Sequence, residues 1–410
     1  CEAFWSESQL VDGNCPDCNR VVESTREKCY FLKLSKYQNF IENLFNNNEN
    51  FLVPQSRKNE IYNNFIKDGV QDLCLTRTSF TWGVKAPFDE EHVIYVWCDA
   101  LINYISALGY ASENDDNFKK YWPAVHFVGR DITRFHTIIW PILLHAIGVE
   151  APKQVHSTGF ITLKGDRISK SKSNGFDVTV LCDRYGADAL RYYLLKEGPI
   201  FNDVPYESEI FLNTINSDLC NNLGNLVSRT LAMITQYFNA EIPAINKLVE
   251  EDKAQISLCE NLLAGVRADM EHQRVDSAIK KIMNVVDKAN KYIDITMPWK
   301  LAKEEDGSDR LATVLYVLSE SIRVCAVVLQ AFLIEIPQKI KEQFGFPDKL
   351  FTFESVVDFS KDLAGIKVKK GDAIFARLDV KKEIEFLDKP SQEKKEKEND
   401  SSEKGKKSVT

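Results

Sequence analysis

The sequence predicts an α/β domain followed by an all-α helix bundle, and three observations carry that prediction. Between about residues 31 and 200, short apolar runs bounded by Gly and Pro alternate with stretches of helical period. From about residue 205 the apolar period is 3.6 almost throughout. No internal repeat interrupts either region. Only Ser391–Thr410 stands apart, with six Lys, five Asp/Glu and a single sizeable apolar side chain, Val409. Such a segment buries too little surface to offset its ordering entropy and reads as a disordered tail or linker.

Composition narrows the class further. The 410 residues are 44% hydrophobic and 27% charged, with ten Cys, which excludes collagen-like, wholly disordered and disulfide-scaffold chains. No run approaches the roughly 18 apolar residues of a membrane span, since Gln330 and Glu335 interrupt Val324–Ile336. The net charge of −8 means that a nucleic-acid partner must be met by a local basic surface. The chain opens at Cys1 with no Met, basic segment or apolar segment, so no signal peptide is expected and the start reads as a cut within a longer protein.

In order along the chain, residues 1–30 hold four of the ten Cys. His92–Trp97 is expected as a strand and Asp99–Leu108 as the helix after it. Ala124–Val128 reads as a second strand closed by Gly129, with a helix from about Ile132 to Ile147. Val155–Leu163 is expected to be extended and to end in a Lys164-Gly165 turn. Val178–Lys196 returns to helix and stops at Gly198-Pro199. Three apolar stripes then follow. They are Ile215, Leu219, Leu223, Leu226 and Met233; Val275, Ile279, Ile282, Val286, Ala289 and Ile293; and Leu311, Leu315, Leu318, Ile322, Cys325, Leu329 and Phe332. Short connections between them favour an antiparallel bundle.

Four local patterns carry chemistry. Arg167-Ile168-Ser169-Lys170-Ser171-Lys172-Ser173-Asn174 packs three cations and three hydroxyls into eight residues after a Gly turn. Its ammonium groups suit a triphosphate and a departing pyrophosphate, and a solvated basic loop is the competing reading. Gly129-Arg130-Asp131-Ile132 follows a strand, where Gly admits a ligand to the backbone and Asp accepts from ribose hydroxyls; otherwise Asp131 caps the helix. Trp97 and Tyr104 flank a strand-to-helix corner, and Phe135-His136 opens the next helix; these are pocket walls or plain core. Cys15-Pro16-Asp17-Cys18 is a Cys-x-x-Cys knuckle, with Cys1 fourteen residues before Cys15 and Cys29 as another thiol. Tetrahedral zinc needs four such ligands, and no βαβ context supports a redox motif.

With these motifs in this order, residues 1 to about 388 resemble methionyl-tRNA synthetases, which are class I aminoacyl-tRNA synthetases. The resemblance is to bacterial forms with one zinc knuckle. Arg167–Ser171 resembles the family's KMSKS loop, with Arg for the first Lys and Ile for Met. The resemblance implies a Rossmann-like catalytic domain, with Lys170, Arg167 and Lys172 catalytic and Gly129, Asp131, Ile132 and Lys170 on ATP. It places Trp97, Tyr104, Phe135 and His136 around methionine. It implies that Asn225, Arg229 and Trp299 read the anticodon, and that Cys1, Cys15 and Cys18 hold a structural zinc. Ser173 stands where the family usually has Gly, and Cys98 and Leu101 are variants beside the pocket.

The implied activity is methionine activation by ATP with Mg2+, then transfer to tRNA(Met), in the cytoplasm and without a membrane. Some relatives carry a further module beyond the C-terminus, through which a homodimer would form. The family's HIGH motif falls before Cys1, so this stretch alone is expected to be inactive. The implied domains are 1–30 (the rest of a zinc-knuckle insertion), 31–205 (catalytic), 206–345 (anticodon-binding bundle), 346–388 (C-terminal extension) and 389–410 (tail). Two other readings compete: a non-catalytic tRNA-binding module, and a class I synthetase for another apolar amino acid. The second usually carries an editing insertion, which 31–200 lacks.

Overall fold

The computed structural model describes residues 10–15, 20–23, 28–163, 166–167, 178–198, 201–246, 248–360 and 362–387. The chain divides into two compact units, Cys1–Thr158 and Gly159–Thr410.

The first unit runs β1 (Phe31–Leu32), α1 (Gln38–Asn47), β2 (Leu52–Val53), α2 (Gln55–Ile61), β3 (Leu73–Cys74), β4 (Thr76–Arg77), β5 (Lys85–Ala86), β6 (Asp89–Ile94), α3 (Val96–Ser106), α4 (Asp116–Tyr121), β7 (Val125–Gly129), α5 (Trp140–Ala146) and β8 (Gln154–Thr158). Strands β2, β8 and β7 form a parallel sheet in that order, in register at Phe127 with His156 and Gly129 with Thr158. Parallel neighbours need a crossover, and the helical segment ending in α5 supplies it between β7 and β8. Strands β4, β6 and β5 form a separate antiparallel sheet. The core is Ile41, Phe45, Phe51, Leu52, Leu101, Ile105, Val128, Ile142 and Val155 with their neighbours.

Two expected elements shift. The strand expected over His92–Trp97 ends at Ile94, because Tyr95 stays extended and the helix already takes in Val96 and Trp97. The helix expected from Ile132 to Ile147 is instead three pieces: a 3₁₀ turn at Arg130–Ile132, a π turn at Phe135–Ile139, and α5. Pro141 has no N–H for the carbonyl four residues back, which breaks an even α ladder.

The second unit begins with β9 (Ile161–Leu163), which pairs antiparallel with β10 (Asp166–Arg167) and parallel with β11 (Val204–Tyr206). The single extended segment expected over Val155–Leu163 is thus split between the units. At the break a Cβ on Gly159 would lie 2.0 Å from the Asn202 carbonyl oxygen, so only Gly fits. Helix α6 (Val178–Tyr185) and α7 (Ala187–Glu197) replace the one helix expected over Val178–Lys196, broken at Gly186 with φ +85°. Then come α8 (Ser208–Thr214), a π segment (Ile215–Gly224), α9 (Asn225–Tyr237), α10 (Glu250–Glu271), α11 (Val275–Thr296), α12 (Pro298–Leu301), α13 (Ser308–Leu329), α14 (Ile336–Phe344) and α15 (Val380–Leu387).

All three apolar stripes lie in one core, with Met233 alone only half-buried. Every residue of α13 from Leu311 to Leu329 is buried, so this helix is the centre of the bundle. Its length and composition would suffice to cross a membrane, contrary to the sequence expectation, and the bundle encloses it wholly. Packing also draws the boundaries differently from the sequence. Residues 181–193 contribute Leu181, Leu190, Tyr192 and Tyr193 to the bundle core, ahead of the expected 205/206 division. Within the expected extension, Phe346, Phe351, Val356, Leu363 and Val368 are buried in the same core.

Candidate functional site

In the first unit the four aromatic residues expected around a small side chain come together. Trp97 lies in the first turn of α3, and Tyr104 is two turns on along the same face. Trp97 stacks on Phe135 with centroids 4.1 Å apart and rings 12° from parallel. The Tyr104 hydroxyl is 2.8 Å from His136 Nε2, and His136 Nδ1 is 2.9 Å from the Ile132 carbonyl oxygen. A carbonyl only accepts, so Nδ1 carries the hydrogen and Nε2 accepts from Tyr104. Burial lowers the pKa of His136, against the opposing pull of its bond to Ile132, and raises that of Tyr104. This wall is therefore aromatic and uncharged at neutral pH.

Two residues behind it were not anticipated from the sequence. His126 on β7 accepts the Trp140 indole N–H at 3.3 Å and lies 4.4 Å from the Tyr104 ring. Its only sequence signal is a His at an inward position between Val125 and Phe127, both exposed. Burial first, and His136 second, push His126 down to about 4. Cys98 and Leu101 are buried, and burial pushes the Cys98 thiol up to about 12, so it packs without reacting.

A pH prediction follows from His126. The folded pKa lies below the unfolded value of about 6.5, so stability is fully present above pH 6.5 and is lost as pH falls toward 4. The contribution is about 3 kcal/mol. Urea midpoints measured from pH 7 to 4 should fall across that window, and His126→Gln should flatten the profile. A wild-type midpoint that is flat between pH 6.5 and 4.5 would contradict a buried neutral His126.

Gly129 ends β7 in the same unit, and Asp131 lies exposed in the 3₁₀ turn that follows. The N-cap of this turn is Gly129 itself, so Asp131 is the second residue inside and is not the cap that the sequence allowed. A Cβ on Gly129 would come within 2.8 Å of Asp131 Oδ1, which leaves the turn open to a ligand only with Gly there. Ile132 packs against the core. Arg167 belongs to β10, in the second unit. Lys170 and Lys172 lie outside the described residues.

In the second unit, Asn225, Arg229 and Trp299 share one face. Asn225 Nδ2 approaches Asn290 Oδ1 at 3.4 Å, and Arg229 Nη2 donates to Asp294 Oδ1 at 3.2 Å. The Arg229 guanidinium lies 5.9 Å from the centre of the Trp299 ring. Trp299 is 40% exposed, which weighs against the packing role usual for a Trp after Pro. Met297, at φ +46°, turns the chain out of α11 and sets that ring beside Arg229. A cleft of about 570 Å³ adjoins Asn225, lined also by Ser228, Phe375 and Arg377. Asn290 and Asp294 were not anticipated from the sequence.

Of the expected zinc ligands, Cys15 is described, and Cys1 and Cys18 lie outside the described residues. Cys15 is buried just after a tight turn at Asp12-Gly13, and its N–H donates to the Arg20 carbonyl at 2.9 Å. The segment leading into Cys15 is thus pinned to the backbone that continues from Arg20. Cys29 is half-buried. Among the described residues no group of three His, Cys, Asp or Glu is arranged to hold a metal.

Comparison with known proteins gives the family. The family model for class I tRNA synthetases (M) matches residues 1–231. A methionine–tRNA ligase of Clostridium tetani is 50% identical over 388 residues, which is 94% of this chain and 60% of that protein. One from Bacillus subtilis is 44% identical over 400 residues, again 94% and 60%. The chain thus spans about 60% of the length of these curated relatives. Among solved structures, Mycobacterium tuberculosis methionyl-tRNA synthetase in complex with methionyl-adenylate matches with a TM-score of 0.86 at 35% identity. It covers 92% of this chain and 74% of that one.

Proposed function

The chain belongs to the class I methionyl-tRNA synthetase family, and from that premise we propose that it serves a methionine–tRNA ligase, activating L-methionine with ATP and passing it to tRNA(Met). The observation that carries this reading is the uncharged aromatic cluster of Trp97, Tyr104, Phe135 and His136, in the same unit as the Gly129–Asp131 turn. A thioether side chain is flexible, apolar and polarizable, and it gains from aromatic walls of this kind. Membership of the methionine branch sets aside a synthetase for another apolar amino acid.

In the first step a methionine carboxylate oxygen bonds to the α-phosphorus of ATP, and the bond from that phosphorus to the bridging oxygen breaks, releasing pyrophosphate. In the second a terminal ribose hydroxyl of tRNA attacks the activated carbonyl, and AMP leaves. Neither step needs a protein nucleophile, so the residues position the reactants and stabilise charge. Gly129, Asp131 and Ile132 receive the adenosine, and Lys170, Arg167 and Lys172 meet the charge that develops on pyrophosphate. Magnesium enters with ATP and shields its phosphates. Cys15, pinned and buried at the knuckle, suits a structural zinc site with Cys1 and Cys18 and one further thiolate. We place the enzyme in the cytoplasm with the rest of translation.

Asn225, Arg229 and Trp299 are the anticodon readers in this proposal. Arg offers a fork of donors, Asn a donor and an acceptor, and the exposed Trp299 face a platform for an unstacked base. In the full open reading frame that carries this chain, Trp299→Ala should cost about 1–3 kcal/mol in kcat/KM for tRNA with a CAU anticodon. Aminoacylation of tRNA with CAU and altered anticodons tests this. Loss of melting temperature with CAU preference intact would make Trp299 a packing residue. Absence of methionine-dependent ATP–pyrophosphate exchange in the full reading frame would leave only a tRNA-binding module.

A further inference from the structure

We propose that Thr133 and Ser157 form a hydroxyl clasp that sets the shape of the Gly129–Asp131 turn, so that Thr133 is a positioning residue for ATP. The inference rests on reading that turn as the adenosine site.

The clasp follows from how the backbone closes. In an α-helix the Thr133 N–H would reach the Gly129 carbonyl, four residues back. Here Arg130–Ile132 is a tighter 3₁₀ turn, and the Thr133 N–H goes to the Arg130 carbonyl. The Gly129 carbonyl is picked up by the Thr133 hydroxyl, 3.3 Å away. The same Oγ1 lies 2.7 Å from Ser157 Oγ on β8. Thr133 has one hydroxyl hydrogen, and only one assignment satisfies all three groups: Ser157 donates to Thr133, and Thr133 donates to Gly129. Thr133 is 1% exposed and Ser157 is fully buried, so water does not replace either bond. Thr137 then donates to the Thr133 carbonyl at 2.8 Å and fixes the residue from its other side.

This chain of hydroxyls ties the carboxyl end of β7 to β8 at the point where the backbone turns toward Asp131. With so little space between Gly129 and Asp131, a small rotation of the turn moves the Asp131 carboxylate relative to the Gly129 backbone. Ribose contacts depend on that relation, whereas the methionine pocket is walled by α3 and the π turn beyond.

Methionine-dependent ATP–pyrophosphate exchange in the full open reading frame tests the inference. Thr133→Val keeps the shape and removes the hydroxyl, and it should raise KM for ATP about five- to tenfold. KM for methionine should stay within about twofold, and Thr133→Ser should restore most of the ATP affinity. Ser157→Ala, which leaves Thr133 its own bond to Gly129, should shift KM for ATP in the same direction by about two- to threefold. It serves as the measured variant if Thr133→Val does not fold. The clasp is overturned if these variants lower only the melting temperature, if both KM values move together, or if Thr133→Ser is as poor as Thr133→Val. Asp131→Ala separates the two layers. No effect of that change on KM for ATP would overturn the adenosine reading and the clasp with it. A rise with Asp131→Ala but none with Thr133→Val would overturn the clasp alone.

Discussion

Lys170→Ala is expected to slow methionine-dependent ATP–pyrophosphate exchange by about 10²- to 10³-fold, the scale for removing one preorganised charge from a transition state. As the bond to pyrophosphate breaks, negative charge accumulates on the leaving oxygens beyond what ATP carries in its ground state. An ammonium placed on those oxygens therefore binds the transition state more tightly than the substrate, and its loss appears in kcat. Lys170 lies centrally among the cations of Arg167–Lys172, with the hydroxyls of Ser169 and Ser171 interleaved. Arg167 does not replace it freely, since a planar guanidinium is a fork of donors where a compact point charge is wanted. Steady-state exchange should show reduced kcat with KM for methionine nearly unchanged. A change confined to methionine KM would remove Lys170 from this role.

Arg323→Met is expected to destabilise the bundle by about 3–5 kcal/mol, the range for breaking a buried ion pair on one side only. Glu320 and Arg323 are both fully buried on α13, joined by Nε to Oε2 at 2.6 Å and Nη2 to Oε1 at 2.5 Å. The guanidinium also donates to the Leu350 carbonyl and to Ser355 Oγ and O, and Glu320 accepts from the Ser360 N–H at 2.9 Å. One pair thus fastens residues 350–360 to the central helix. Without Arg323, a buried carboxylate and the Leu350 and Ser355 carbonyls lose their donor together. Burial already raises the pKa of Glu320, with Arg323 opposing. Removing Arg323 takes away that opposition and raises the Glu320 pKa further, so the penalty in Arg323→Met should be largest where Glu320 stays ionised and shrink as pH falls and the unpaired carboxylate takes up a proton. Urea unfolding at pH 7 and pH 5 measures both effects. A cost below about 1 kcal/mol at pH 7 would show that the pair does not hold the extension.

Much of the site was legible because its signals are local. Trp97 and Tyr104 are two helical turns apart, and Gly129 and Asp131 lie two residues apart at a strand end, so short-range geometry alone brings each pair to one face. What lies around them was not legible. His126 and Trp140 meet through a crossover, and Asn290 and Asp294 reach Asn225 and Arg229 from a helix 65 residues downstream. No spacing in the chain announces a partner that a sheet register or a helix packing must first deliver.

The sequence by itself determined the two fold classes, the order of the elements and the three buried stripes, because each depends on a period or a spacing within a few turns, whereas Trp97, Tyr104, Phe135 and His136 were singled out together only by the family resemblance. Tertiary structure alone decided the remainder. An apolar stripe says that one face is buried, yet α13 is buried on every side because it became the middle helix. Nothing in the sequence said where the extension packs, and Phe346, Phe351 and Leu363 join the core of that bundle. The division between units falls at Thr158 and Gly159, inside what reads as one extended run, and within the second unit the Gly159 backbone lies too close to Asn202 for any side chain. Burial and close approach are properties of neighbours distant in the chain, and no local pattern encodes which neighbours those will be.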